Sequence, residues 1–197
     1  MSTVRRSLFW VAVCCSLLTL SVLAQEKTPT PAPAPQKLSL TAALVLTPEF
    51  CATVNKKGGW ANEEKFPVGK AACSELEPVL KGIFTTLTRV DDSSKAGDAQ
   101  VVLEPKFADV GATQKGFAFS NREMVVVVEW SVRDQSGKAL WIDTVEGSAK
   151  RHMGNAFTHG KNLKHIVQDS VQDMAEQSAG KISNAPELLK MSAAPVK

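Results

Sequence analysis

The stretch from Glu123 to Gly147 constrains the fold of this chain more than any other. Met124, Val126, Val128, Trp130 and Val132 share one parity, and Val125, Val127, Glu129, Ser131 and Arg133 share the other. Period two over ten residues predicts a strand with one buried face, the second face turning polar toward its end. Asp134-Gln135-Ser136-Gly137 follows with turn chemistry, Gly137 being free to take positive φ. Leu140, Trp141, Ile142 and Val145 then read as the returning strand. The stretch predicts an antiparallel hairpin and places no acid, base or thiol for a reaction.

The N-terminus has a different character. Arg5-Arg6 precede an uncharged apolar run, Leu8–Ala24, which ends Val22-Leu23-Ala24 ahead of Gln25. A basic start, an apolar middle and a small residue at the cut have the form of a secretory signal peptide over residues 1–24. The run also reaches the short end of the ~17–25 residues that a membrane span needs, so a retained anchor is the competing reading. Cys14 and Cys15 lie inside the run, and removal with the signal competes with lipidation at Cys15. Residues 25–37 carry prolines at 29, 31, 33 and 35 and predict a disordered linker, because proline lacks the N–H and fixes φ. The expected address is the periplasm or cell envelope, with secretion as the second choice.

Export also changes the charge. The 197-residue chain carries 23 basic and 20 acidic side chains. Residues 1–24 hold Arg5 and Arg6 and no acid, which leaves 21 basic against 20 acidic. A balance so near neutrality gives no support to the basic footprint of a nucleic-acid binder. Cys51 and Cys73 remain beyond the signal, and a disulfide-permissive compartment favours a bond between them. Two buried free thiols, or one nucleophile, are the alternatives.

Between linker and hairpin, Leu38–Thr47 predicts a first strand that Pro48 stops, and Glu49–Glu64 has loop composition. Lys65–Gly69 predicts a short strand or the approach to a helix. Ala72, Leu76, Val79, Leu80, Ile83, Phe84 and Leu87 recur at helical spacing, with Ser74 and Glu77 in the form of a capping box. A helix already begun at Val68 would have to carry Pro78 inside it. Ala99–Val110 predicts another strand, with Pro105 marking an edge or a bulge. Ser148–Thr158 reads as a loop or an extension of the last strand. Leu163, Ile166, Val167, Val171, Met174, Ser178 and Ile182 draw one narrow apolar face on a helix over 158–182, and residues 184–197 read as a disordered tail. The fold class is therefore α+β: one domain over 38–183, a mainly antiparallel sheet of about four or five strands, and two main helices packed on one face.

Four features of this layout resemble small bacterial envelope accessory proteins and lipoproteins of the curli-secretion and ABC-transport-auxiliary groups. They are the first strand of alternating Leu and Val, the Val68-Gly69 entry into the Ala72–Leu87 helix, the Ala-Gly-Asp-Ala-Gln-Val-Val run at Ala96–Val102, and the Val132-x-Asp134-x-x-Gly137 hairpin. The resemblance implies a helix packed on a sheet and an accessory role in secretion or transport. It carries no functional residue to this chain.

No cluster suggests catalysis, cofactor or metal. His159 and His165 are six apart, so they do not form the i, i+4 pair of a helical metal site. Lys56-Lys57-Gly58-Gly59 lacks phosphate-loop spacing. Trp60 and Trp141 are candidate partner-contact aromatics, each with core packing as the alternative. The expected function is non-catalytic: an exported envelope protein binding an unidentified envelope partner as an accessory or assembly subunit. The alternatives are a binding module for a small apolar or lipid-like ligand between sheet and helices, and a thiol-dependent enzyme using Cys51 or Cys73. No cofactor is expected.

Overall fold

A computed structural model describes residues 33–57, 64–114, 121–155 and 158–194. The signal peptide expected over 1–24, most of the proline-rich linker and Trp60 lie outside these residues.

The expected hairpin is present and longer than its turn residues foretold. Strands β6 (Asn121–Asp134) and β7 (Ala139–His152) pair antiparallel from Asn121↔His152 to Arg133↔Ala139. Met124, Val126, Val128, Trp130 and Val132 are all buried. The Asp134 carboxylate closes the turn by accepting from the Ser136 and Lys138 N–H groups, at 2.9 and 3.0 Å. Gly137 takes φ +83°, which an L side chain rarely adopts. Residues 148–152 extend β7.

The remaining strands complete a mixed sheet in the order β4-β1-β5-β6-β7. Strand β1 (Leu38–Val45) lies between β4 (Phe84–Val90) and β5 (Val101–Gln114), parallel to both. Leu87 and Val101 are both level with Ala42. The link from β4 to β5, which includes a 3₁₀ turn at Ser93–Lys95, therefore has only a few residues of strand length to recover. Strand β5 pairs antiparallel with β6, and its register shifts between Phe107 and Asp109, just past Pro105. A short separate hairpin, β2 (Asn55–Lys57) with β3 (Glu64–Phe66), precedes the first long helix.

That helix, α2 (Val68–Lys81), differs from expectation at both ends; α1 is the single turn Pro48–Cys51 before it. Starting at Val68 puts Ser74 in the helix interior, where its hydroxyl donates to the Lys70 carbonyl, so there is no capping box. Pro78 is carried inside the helix. The helix stops at Gly82, a poor helix former, and Phe84 and Leu87 belong to β4. Their 3–4 spacing is shared by chance; the β-branched residues of Thr85-Thr86-Leu87-Thr88-Arg89-Val90 favour strand.

The second long helix, α3 (His159–Ser183), buries Ile166, Val167, Val171, Met174, Ala175, Ala179 and Ile182. Residues 186–193, expected within a disordered tail, form α4 (Pro186–Ala193), with Pro186 in its first turn and Leu188 buried. The Ser192 hydroxyl accepts from the Ser39 N–H at 2.7 Å, fastening α4 to β1. Eight residues are too few for a helical period to show in sequence. One core runs between the sheet and its helices, filled by Leu38, Leu40, Leu44, Leu76, Leu80, Trp130 and Met174 among others.

Candidate functional site

Four places bear on function. The first is the corner where α1 meets α2. Cys51 and Cys73 are bonded there, with Cα atoms 5.7 Å apart and a sequence separation of 22. Both sulfurs are in the bond, which leaves the thiol-dependent reading without a nucleophile. A loop of this length implies about 3 kcal/mol of stabilisation through the unfolded state. Cys51→Ala with Cys73→Ala is therefore expected to lower the unfolding free energy by that amount, read from the shift of a urea midpoint. Added reductant should shift the wild-type protein and leave the double variant unmoved.

The second is a polar clasp that spacing alone does not reveal. Glu64 on β3 receives Arg122 from β6 at 2.5 Å and His159, the first residue of α3, at 3.0 Å. Arg122 has the parity of Met124 and points to the helix side, where it is buried. Burial pushes the Glu64 carboxyl up, but the hydrogen bonds from Arg122 and His159 together outweigh it and hold the group below its ordinary range. A carboxyl lowered by folding contributes stability that is complete above its unfolded pKa and lost as pH falls through the folded one. The wild-type protein is thus expected to lose more stability than Glu64→Gln between about pH 6 and about pH 3, as measured by denaturant titration at each pH. The clasp joins three elements distant in sequence and reads as a fastening. Among the described residues no group of three or more His, Cys, Asp and Glu is placed to hold a metal.

The third is a groove of 590 Å³ between α2 and α3. Ala71, Leu163 and Val167 form its apolar floor, and Lys65, Lys70 and Lys164 line it from β3, α2 and α3.

The fourth is the sheet face opposite the helices. Val125 and Val127 are half-buried there, Glu129 and Glu146 are exposed, and Ile142 is 61% exposed. Glu104 and Arg133 pair across it at 3.7 Å. Trp141 is not part of this face. It lies opposite Val132, on the helix side with Trp130, half-buried against the core.

No family model matches the sequence, and no curated protein matches it. The fold is shared with solved structures. One is a Xanthomonas campestris protein of the DUF330 family, at TM-score 0.52 and 7% identity, covering 76% of this chain and 89% of that one. Another is a minor lipoprotein from Acinetobacter baumannii, at TM-score 0.51 and 12% identity, covering 75% and 92%. At such identities the likeness is one of fold alone.

The structure brings together one pair of the residues singled out in sequence, Cys51 and Cys73. The three histidines are dispersed: His152 at the end of β7 beside Asn121, His159 in the clasp, His165 in the second turn of α3. Glu64, Arg122 and the groove lysines were not foreseen. They come from strands and helices whose pairing no local pattern encodes, and a charged residue on the apolar parity of β6, Arg122, was the one available signal.

Proposed function

We propose that this is an exported cell-envelope protein that works by contact with a protein partner, as an accessory subunit of a transport or secretion assembly, and not by catalysis. The sheet face opposite the helices carries this reading. A half-solvated antiparallel strand ordinarily alternates apolar and polar residues, whereas Met124–Val128 is apolar on both parities. Val125 and Val127 are nonetheless only half-buried, and Ile142 projects from the neighbouring strand. A partner laid on this face would complete their burial. The arginine-led apolar N-terminus, the proline-rich stretch, the disulfide and the fold shared with a lipoprotein agree with an envelope address.

Neither alternative draws support from the place named for it. A ligand held between sheet and helices would meet a space occupied by Trp130, Met174, Leu76 and Leu80. A thiol enzyme would need one of two sulfurs that are bonded to each other.

A photo-crosslinking residue at position 127 or 142, expressed in intact cells, is expected to give one discrete protein adduct. The same residue at Gln172, exposed on α3, is expected to give none. Equal labelling from position 172, or none from 127 and 142, overturns the reading. An adduct of twice the chain's own mass would make the partner a second copy.

A further inference from the structure

We infer that the groove between α2 and α3 binds a single-chain anionic amphiphile, with a carboxylate or phosphate head held by lysines and an alkyl chain along the floor. This site is on the helix side and is independent of the open sheet face. Its two halves have opposite character. Ala71, Leu163 and Val167 offer an alkyl chain a surface continuous with the core. Lys65, Lys70 and Lys164 line the groove from three different elements, with one carboxylate, Glu75, among the described lining residues. Neither Lys70 nor Lys164 is in an ion pair among the described residues, whereas Lys81, Lys95, Lys150 and Lys181 each are.

The start of α3 adds to the positive field. Its first two turns hold Lys161 and Lys164, and its first turn holds no acid. Cations at a helix N-terminus oppose the helix dipole. An anion bound beside Gly160, which lines the groove and has open space around its Cα, relieves that opposition.

Size selects the occupant. The groove's 590 Å³ lies within the range of roughly 300–1,000 Å³ for small-molecule sites. Two turns of an acidic partner helix, about 10 Å across and 10.8 Å long, fill roughly 850 Å³ and overrun it. A flat bilayer would reach the lysines without reaching Val167, which is buried at the bottom.

The test is calorimetry and native mass spectrometry at pH 8 with dodecanoate, kept below its micelle-forming concentration. The wild-type protein is expected to bind one dodecanoate. Lys70→Glu with Lys164→Glu changes two exposed side chains and is expected to weaken binding at least tenfold, with an unchanged urea midpoint. Dodecyltrimethylammonium, of the same tail and opposite head, is expected not to bind, nor is inorganic phosphate alone. Undiminished binding by the double variant, equal binding of the cationic amphiphile, or binding only to anionic phospholipid vesicles or to an acidic helical peptide overturns the inference. The crosslinking result at the sheet face does not bear on it.

Discussion

Gly147→Ala is expected to destabilise the protein by at least about 3 kcal/mol, at or beyond the upper end for overpacked cores. The reason is distance and not backbone conformation. Gly147 sits in β7 opposite Val126, under α3. A Cβ built there would lie 2.2 Å from the Met174 nitrogen, 2.4 Å from the Met174 Cβ and 2.4 Å from the Ser170 carbonyl oxygen. Two of these atoms are helix backbone, which no rotamer change can move. The helix must lift from the sheet, and its contact with β7 is the main one between α3 and any strand. Gly111→Ala is the control. It lies in β5 on the open face, and a Cβ there meets nothing within 4 Å. Its effect is expected to stay within about 0.5 kcal/mol, as for surface substitutions generally. Urea unfolding of both variants checks the pair. Equal effects would mean that α3 does not approach β7 as closely as the structure has it.

Trp130→Ala is expected to cost about 3–5 kcal/mol, the range for removing a fully buried large aromatic. Trp130 is 0% exposed, and its indole N–H donates to the Ser178 hydroxyl at 2.9 Å. That hydroxyl in turn donates to the Met174 carbonyl at 2.7 Å. The substitution therefore opens a void in the core and takes the donor from a buried serine. Trp130→Phe keeps most of the apolar contact and loses the hydrogen bond, so it should fall between wild type and alanine. Ser178→Ala removes the acceptor and leaves the indole N–H buried, expected to cost about 1–3 kcal/mol. Set against the roughly 5–15 kcal/mol of a typical domain, the alanine variant at Trp130 should lose a large share of its stability. Near-ultraviolet circular dichroism and denaturant midpoints measure both effects.

These two positions also show how a narrow helical stripe becomes a buried one. Ser170 and Ser178 on α3 are buried, each hydroxyl bonding back to its own helix, at Val167 and Met174. With the glycine at 147, such small residues let α3 lie close on the sheet. A reading by hydrophobicity alone sees a weak stripe there, because serine counts as polar. Its hydroxyl is satisfied within the helix, and what remains toward the sheet is a small side chain.

The sequence by itself determined the local periods and their consequences. Five alternating residues from Met124 to Val132 placed a buried strand face, Asp134 to Gly137 placed the turn, and the spacing from Leu163 to Ile182 placed a long helix. Each depends on neighbours within one or two turns or pleats, which is the range over which side-chain geometry repeats. Pairing of Cys51 with Cys73 was legible because they are the two cysteines outside the N-terminal apolar run, which itself reads as an export signal.

Only the tertiary structure decided the rest. The parallel position of β1 between β4 and β5, the end of α2 at Gly82, the anchoring of α4 on β1, the Glu64–Arg122–His159 clasp and the lysine-rimmed groove all join residues far apart in the chain. Phe84 and Leu87 continue the helical spacing of the residues before them, and pairing with β1 made them strand. Local pattern records which face of an element is apolar; which element that face meets is settled by backbone pairing and packing across the whole domain.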